Sequence, residues 1–434
     1  MNTDLTQTKK VFFIGIGGIG ISALAKFAKA QGKEVAGLND EASGTTIDAL
    51  KAEGISVVFL DGFSLPDADM YVYSDAWLYR GPEILEAAKA TGKPVLSYFG
   101  ALGLFAEKYK VIAIAGVHGK TTTTAMTGEV LMHADFDPTI VVGSFVKKFG
   151  SNFHLGNSEW LVVEADEYMR HFLVFKPFIT VITNIEADHL DYYKDLADVQ
   201  DAFKTLVAQT DPSGFIICDP NAPNMKEVLA DAKATIVDYH ALVETLPKLS
   251  VPGEHNRLDA ACAKAVANVL SIPEEKSDEA LKTFEGTWRR LEKRGMTANG
   301  TLVYDDYAHH PTEARASLSA LRELYPRGEK TITVLFQPHL YSRTKALFND
   351  FITAFDDADN VLFLPIYFAR EDPDPEVSSE KLADAVRMHR GEAIAFSSFE
   401  EAEAHLKKMN LGAKDVLVTM GAGEAYKIGD ALLK

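Results

Sequence analysis

Cysteine is almost absent from this chain of 434 residues: only Cys218 and Cys262 occur. Both lie in apolar stretches, Phe215-Ile-Ile-Cys and Ala260-Ala-Cys-Ala, which excludes a disulfide framework and a zinc cluster and suits a reducing cytosol. Basic residues are also in deficit, Lys+Arg 44 against Asp+Glu 62, for a net charge of −18. With no basic stripe to neutralise phosphates, a nucleic-acid partner is excluded, and the acidic excess reads as a solvated surface. No apolar run is long enough to cross a bilayer; the longest, Val361 to Ala369, is interrupted by Pro365. Residues Met1 to Lys10 have no apolar core of signal-peptide length. These absences predict a soluble, cytoplasmic protein with no membrane partner. Internal repeats and low-complexity segments are lacking too. The 47% hydrophobic composition is enough for several cores. At roughly 100–200 residues per domain the chain allows two to four, and three are expected.

The chain is organised around Val111 to Thr124. Val111 to Ala115 reads as a buried strand, Gly116-Val-His-Gly119 as a tight turn, and Lys120 to about His133 as a helix. A strand that turns through glycines into a helix leaves backbone N–H groups converging on one point, where a polyphosphate would sit. Lys120 would reach its terminal phosphates, and the Thr121 hydroxyl would ligate Mg²⁺. Ile114 stands where the usual G-x-x-x-x-G-K-[ST] loop has its first glycine, so the motif alone is also compatible with an ordinary strand-to-helix turn.

Upstream, the apolar run Val11 to Ile14 leads into Gly15-Ile-Gly-Gly-Ile-Gly20. Ile21, Leu24, Ala25 and Ala28 then follow at helical spacing, which predicts an amphipathic helix over 21–30. A strand from Glu34 to Leu38 ends at Asn39-Asp40. This is the dinucleotide fingerprint: the glycines admit a diphosphate and Asp40 accepts from a ribose hydroxyl. Taken alone it indicates an NAD-dependent dehydrogenase. Further strands at Ser56 to Leu60, Met70 to Ser74 and Val95 to Ser97, with a helix over Pro82 to Ala90, complete a small parallel sheet.

Downstream of the phosphate loop, Trp160 to Val163 reads as a central strand ending at Glu164-Ala-Asp-Glu167. Ile179 to Thr183 ends likewise at Asn184-Ile-Glu-Ala-Asp-His-Leu-Asp191. Open parallel sheets bind ligands beyond the carboxyl ends of their strands. One such acidic cluster could be a helix cap. Two on one sheet edge with Lys120-Thr121 point to hard oxygen ligands for Mg²⁺, His189 being a less usual addition. Pro252 to Ala260 then opens an alanine-rich helix, Leu258 to Leu270, and a domain boundary falls within Phe284 to Glu292. Strands at Leu302 to Tyr304, Lys330 to Phe336, Asn360 to Pro365 and Asp415 to Met420, with a helix starting at Pro311-Thr312, predict a third α/β domain.

The segments Gly15 to Gly20, Gly116 to Thr122, Glu164 to Glu167, Thr183 to His189, Gly253-Glu-His-Asn256, Arg289-Arg-Leu-Glu292, Asp305 to Glu313, Phe336-Gln-Pro-His339 and Gly421-Ala-Gly423 resemble, in that order, the Mur ligases of peptidoglycan synthesis. The phosphate loop without its first glycine is that family's own form. The resemblance covers nearly the whole chain and implies three α/β domains: 1-104, a Rossmann-like parallel sheet for a UDP-sugar; 105-288, a central P-loop ATP-binding domain; and 289-434, a Rossmann-like domain for the amino acid. It implies a ligase dependent on ATP and Mg²⁺ that joins L-alanine to the lactyl carboxylate of UDP-N-acetylmuramate through an acyl phosphate, which displaces the dehydrogenase reading. One alternative joins the same sugar nucleotide to a preformed L-alanyl-γ-D-glutamyl-diaminopimelate tripeptide; Phe336-Gln-Pro-His339 favours L-alanine. Another is a non-catalytic sugar-nucleotide binder, against which Lys120, Thr121, Glu164 and His189 speak. A monomer or homodimer is expected.

Carried onto this chain, the resemblance places Gly15, Ile16, Gly17, Gly18, Ile19, Gly20 and Asp40 on the UDP-sugar. ATP falls to Gly116, Val117, His118, Gly119, Lys120, Thr121 and Thr122, with Asn256 at adenine, Arg290 on the phosphate side and Asp306 at the ribose. Thr121 and Glu164 would hold one Mg²⁺, and Glu164 with His189 a second. Lys120, Glu164, His189 and Arg290 form the implied catalytic set. Tyr307, His309, His339 and Arg343 resemble the amino-acid pocket, Arg343 being suited to clamp a carboxylate bidentately. His310 reads equally as a satisfied core imidazole. Leu340 stands where many relatives carry a basic residue, and Glu167-Tyr-Met-Arg-His171 departs from the commoner acidic continuation, leaving the contacts of Arg170 and His171 open. Lys194 and Lys204 lie near the place where several relatives carry a carbamylated lysine, and spacing assigns the role to neither.

Overall fold

Short apolar runs between turn residues form three sheets in a computed structural model that describes residues 5–189, 192–368 and 371–433. Leu190 and Asp191 of the second acidic segment, and Ala369 of the longest apolar run, lie outside the described residues. The first sheet contains β1 (Lys10–Ile14), β2 (Glu34–Asn39), β3 (Ser56–Phe59), β4 (Met70–Tyr73) and β5 (Val95–Ser97) in the order β3-β2-β1-β4-β5. All its pairs are parallel. The order reverses between β1 and β4, so the ligand crevice of such a sheet opens beyond the carboxyl ends of these two strands, where Gly15 begins the glycine loop.

The second sheet contains β6 (Lys110–Ala115), β7 (Thr139–Val146), β8 (Ser151–His154), β9 (Trp160–Glu164), β10 (Pro177–Ile182), β11 (Phe215–Cys218) and β12 (Thr235–Asp238). Its order is β12-β11-β10-β6-β9-β7-β8, parallel except for the β7–β8 hairpin. The phosphate-loop strand β6 is therefore flanked by β9 and β10, the two strands that end in acidic segments. The third sheet contains β13 (Glu292–Met296), β14 (Leu302–Asp306), β15 (Thr331–Phe336), β16 (Asn360–Phe363), β17 (Ala393–Ala395) and β18 (Asp415–Met420), ordered β13-β14-β18-β15-β16-β17 with only β13 antiparallel.

The chain packs as two compact units. One comprises residues Met1–Asp188, Tyr192–Lys248 and Leu258–Glu285 and holds the first two sheets; the other comprises His189–Asp191, Leu249–Arg257 and Gly286–Lys434 and holds the third. The passage into the second unit at Gly286 falls within the segment Phe284 to Glu292, and position 104 falls inside the helix Tyr98–Ala106. In the first unit one apolar core runs from Phe13 and Phe27 through Phe105, Leu161 and Phe172 to Phe203, and a separate cluster gathers Phe12, Tyr71 and Trp77. In the second, Phe336, Phe355 and Phe363 meet edge to face, with centroids 5.1 Å and 5.3 Å from Phe355. Among the described residues no helix is long and apolar enough to cross a membrane.

Two elements differ from the sequence reading. The helix Ile19–Ala30 is not amphipathic: every residue from Ile21 to Ala28 is buried, Ser22 and Lys26 included. Its second face packs on the β7–β8 hairpin, where Asn152 donates to Ser22 Oγ at 2.9 Å and Lys26 donates to Ser151 Oγ at 2.9 Å while pairing with Glu53 at 3.2 Å. Small and capped polar side chains on that face carried no apolar signal. The alanine-rich helix begins at Glu254 rather than Leu258, so His255 and Asn256 lie in its first turn.

Candidate active site

The phosphate loop pairs with the continuation of β10. Val117 N–H donates to Asn184 O at 3.2 Å, His118 N–H donates to Asn184 Oδ1 at 2.9 Å, and Asn184 Nδ2 returns a bond to His118 O at 3.0 Å. Thr183 Oγ1 donates to the same carbonyl at 2.6 Å. Gly116 (φ 135) and Gly119 (φ 84) sit in conformations that side chains rarely adopt. A Cβ on Gly116 would lie 1.9 Å from Thr183 Oγ1, and one on Gly119 would lie 2.3 Å from Asp259 Oδ1. Thr123 Oγ1 donates to that Asp259 oxygen at 2.9 Å. Thr183, Asn184 and Asp259 were not singled out as site residues from the sequence; the placement of Thr183 and Asn184 directly after a central strand was the available signal.

Lys120 opens the helix Lys120–His133 and bends back over the loop. Its Nζ donates to Gly116 O at 2.7 Å, to Val117 O at 3.1 Å and to Glu167 Oε2 at 2.7 Å. Burial acts to lower the ammonium, but Glu167, Asp166 and Glu164 outweigh it and raise the pKa, so Lys120 is a permanent cation. Thr121 Oγ1 donates to Glu164 Oε1 at 2.9 Å, and the other Glu164 oxygen accepts from Gly143 N–H at 2.7 Å. Gly143 lets that carboxylate approach the backbone closely: a Cβ would fall 2.6 Å from the same oxygen, and the Glu164 side chain would have to shift. Thr122 is buried next to them. The structure thus brings together Gly116 to Thr122 and Glu164. His189, with a left-handed φ of 54, belongs to the second unit.

In the glycine loop, Gly15 (φ 82) and Ile16 both donate to Leu38 O, at 2.8 Å and 3.0 Å. Gly17 N–H donates to Asn39 Oδ1 at 3.1 Å, and Thr46 Oγ1 donates to Gly17 O at 2.6 Å. Gly18 caps the helix that Ile19 and Gly20 begin. Asp40, expected at the ribose, forms an ion pair with Arg80 at 2.7 Å, and its neighbour Asn39 makes the direct contact with the loop. The segment left open by the sequence is now placed. Arg170 pairs with Asp198 at 2.6 Å and Asp201 at 2.9 Å, while His171 pairs with Asp75 at 3.1 Å and stacks on Phe99 at 4.1 Å. Lys204 pairs with Asp231 at 2.8 Å, and Lys194 uses its backbone N–H to bond Asp198 at 3.1 Å.

The second unit gathers the other expected residues. Arg290 lies 5.3 Å from the Tyr307 ring centroid. Burial raises the Asp306 carboxyl to about 6, against the lowering pull of Ser317 and Arg290. Its oxygens accept from Ser317 Oγ and from Ala308 N–H, the latter at 3.1 Å. Asn256 Nδ2 donates to Pro252 O at 2.6 Å. Tyr307 and His309 lie edge to face at 5.4 Å, His309 and His339 at 5.5 Å, and the guanidinium of Arg343 meets His339 Nδ1 at 3.2 Å. His339 stacks on Tyr367 at 5.6 Å. Leu340 is buried with φ 68, so this position packs instead of reaching a ligand. His310 caps the helix Pro311–Leu324 in a reciprocal box with Glu313. Arg289 emerges as a structural residue: it is buried, pairs with Asp305 at 2.7 Å and donates to Gly421 O at 2.6 Å and Gly423 O at 3.1 Å.

Comparison with known proteins gives matches along most of the chain. Residues 10–110 match the Mur ligase family, catalytic domain; residues 114–267 match the Mur ligase middle domain; residues 289–423 match the Mur ligase, glutamate ligase domain. The chain is 38% identical to the UDP-N-acetylmuramate--L-alanine ligase of Clostridium perfringens (strain 13 / Type A), across 100% of both chains. It is 36% identical to the same-named protein of Caldanaerobacter subterraneus, across 100% of this chain and 99% of the relative. Its fold superposes on the UDP-N-acetylmuramate-alanine ligase of Thermotoga maritima with a TM-score of 0.78 at 27% identity, covering 98% of each chain. The murein peptide ligase of Psychrobacter arcticus shares the fold, with a TM-score of 0.72 at 23% identity and 98% coverage of each. With its phosphate loop and its glycine loop both falling within matched segments, and with a relative 38% identical across the full chain, this chain belongs to the Mur ligase family.

Proposed function

We propose that this chain is an ATP-dependent amide-forming ligase that joins L-alanine to the lactyl carboxylate of UDP-N-acetylmuramate, giving ADP and phosphate in peptidoglycan precursor synthesis. The relatives named for this reaction match across the full chain at 36–38% identity. The observation that carries the chemistry is Lys120, a cation pinned on the phosphate loop by Glu167 and kept charged by Glu167, Asp166 and Glu164. The three domains of the reading are 1-104 for the sugar nucleotide, 105-288 for ATP and 289-434 for the amino acid, in a cytoplasmic monomer or homodimer.

A free carboxylate is a poor acceptor for an amine, because oxide would have to leave. Phosphorylating it supplies a good leaving group. The lactyl carboxylate attacks the γ-phosphorus, ADP departs, and the alanine amine then displaces phosphate from the acyl phosphate. Lys120 serves this by placing a fixed charge where the transferring phosphoryl oxygens become more negative, a task of positioning and electrostatics. The backbone N–H groups that open the helix Lys120–His133 cradle the polyphosphate. Thr121 and Glu164, a hydroxyl and a carboxylate 2.9 Å apart, are the hard oxygen donors that suit Mg²⁺. Glu164 with His189 would hold a second Mg²⁺. Bound there, Mg²⁺ neutralises phosphate charge. Asn256, Arg290 and Asp306 complete the ATP contacts, and Arg343, braced by His339, clamps the alanine carboxylate beside Tyr307 and His309.

The test is phosphate release with ATP, Mg²⁺ and UDP-N-acetylmuramate, offering either L-alanine or the L-alanyl-γ-D-glutamyl-diaminopimelate tripeptide. Release with L-alanine is the expected result. Release with the tripeptide alone would reassign the chain to tripeptide ligation, and release with neither would sink the ligase reading.

A further inference from the structure

Tyr98 begins the helix Tyr98–Ala106 directly after β5, at the ligand-binding edge of the first sheet. Its ring lies against the glycine loop: a Cβ on Gly20 would sit 2.9 Å from Tyr98 Cζ and 3.0 Å from its hydroxyl. Gly20 is in the first turn of the helix whose N-terminus receives the diphosphate. The phenol also lies within the field of Glu164 and Asp166. Burial, then the charges of Glu164 and Asp166, push its pKa far above the ordinary phenol, so the group stays an O–H donor at neutral pH. The side chain is half-buried, and among the described residues no hydrogen bond engages its hydroxyl, which leaves the donor available to a ligand.

The start of this helix is clamped. Ser97 Oγ accepts from Gly100 N–H at 3.1 Å, and Phe99 stacks on His171, which Asp75 holds at 3.1 Å. These contacts join the first sheet to the segment after β9, so Tyr98 is aimed before substrate arrives. A purely structural role would be filled as well by phenylalanine.

We propose that the Tyr98 hydroxyl donates a hydrogen bond to an anionic oxygen of the sugar nucleotide, where that substrate passes from the glycine loop toward Lys120 and Glu164. The inference rests on the reading of the glycine loop as the sugar-nucleotide site. The shared chemistry is a phosphate or carboxylate oxygen of one substrate, and two ligands separate them: UDP carries only the diphosphate, UDP-N-acetylmuramate carries both.

The experiment compares wild-type protein with Tyr98→Phe by calorimetric titration of UDP and of UDP-N-acetylmuramate, alongside steady-state phosphate release. A hydrogen bond to a charged group predicts that Tyr98→Phe weakens UDP-N-acetylmuramate roughly ten- to hundredfold. An equal loss for UDP assigns the oxygen to the diphosphate. A loss for UDP-N-acetylmuramate alone, with a fall in kcat, assigns it to the lactyl carboxylate. The KM for MgATP stays within about twofold, which reports that the variant is folded. Binding and turnover both within about twofold of wild type would overturn the proposal. Failure of the wild-type protein to bind either ligand would instead count against the sugar-nucleotide reading itself.

Discussion

Lys120 and Glu167 form a buried ion pair, with side-chain exposures of 13% and 1%, at the point where a polyphosphate is read to bind. Removing one partner of such a pair strands the other in a low-dielectric site, at a cost of about 3–5 kcal/mol. Lys120→Ala is therefore expected to lower the denaturant midpoint as well as to reduce ADP formation by about two to three orders of magnitude or more. UDP-sugar binding should survive. Adding Glu167→Gln to Lys120→Ala should restore most of the stability and none of the turnover; stability that stays low in the double variant would contradict the pairing argument. His255 makes a second residue-level prediction. Burial holds its imidazole at about 4, below its ordinary 6.5, so the folded state keeps it neutral. Between those values the unfolded chain binds the extra proton, so this contribution to stability is complete above pH 6.5 and is lost as pH falls through 4. Urea midpoints at pH 7 and pH 5 should differ more in the wild type than in His255→Gln.

The helix Lys120–His133 is buried almost throughout, and Glu129 sits on it with 2% of its side chain exposed. Burial lifts this carboxyl to about 7, only partly offset by Lys148 at 3.7 Å. A raised carboxyl pKa means the folded state takes up a proton that the unfolded state releases, so stability falls as pH rises from 4.5 through 7. Glu129→Gln should be more stable than wild type at pH 8 by on the order of 1–3 kcal/mol, and the gap should shrink at pH 5. Equal melting curves at both pH values would contradict the burial argument. The loop before this helix has the opposite tolerance. Gly119→Ala meets both a left-handed φ of 84 and an Asp259 oxygen 2.3 Å away. A loss of about 1–3 kcal/mol and a large rise in KM for MgATP are expected, measured by chemical denaturation and phosphate release.

At the scale of the whole molecule, two units each carry their own apolar core, which permits more than one unfolding transition. Scanning calorimetry should resolve them, and UDP-N-acetylmuramate should raise the transition of the unit that holds the glycine loop. At a hundredfold excess over Kd the gain is about 2.7 kcal/mol. A single transition shifted as one by the sugar nucleotide would show that the units unfold together. The expected amino-acid residues Tyr307, His309, His339 and Arg343 lie in the other unit, so alanine alone should act on the other transition.

The strands β1, β5, β6 and β18, the glycine and phosphate loops, and the helix Lys120–His133 were legible in the sequence because each is written in local spacing: apolar runs of strand length, glycines where φ turns positive, a lysine and threonine at a helix start. The same locality placed Glu164 beside the phosphate loop once β9 was recognised as a central strand. Tertiary structure alone decided that Asn184 and Asp259 shape that loop, that Arg289 is a buried brace, that His171 meets Asp75, and that Tyr98 lies against Gly20. Those pairs join residues far apart along the chain, so no periodicity records them. They exist only because parallel sheets return distant strand ends to one edge, where close packing leaves each side chain a single neighbour set.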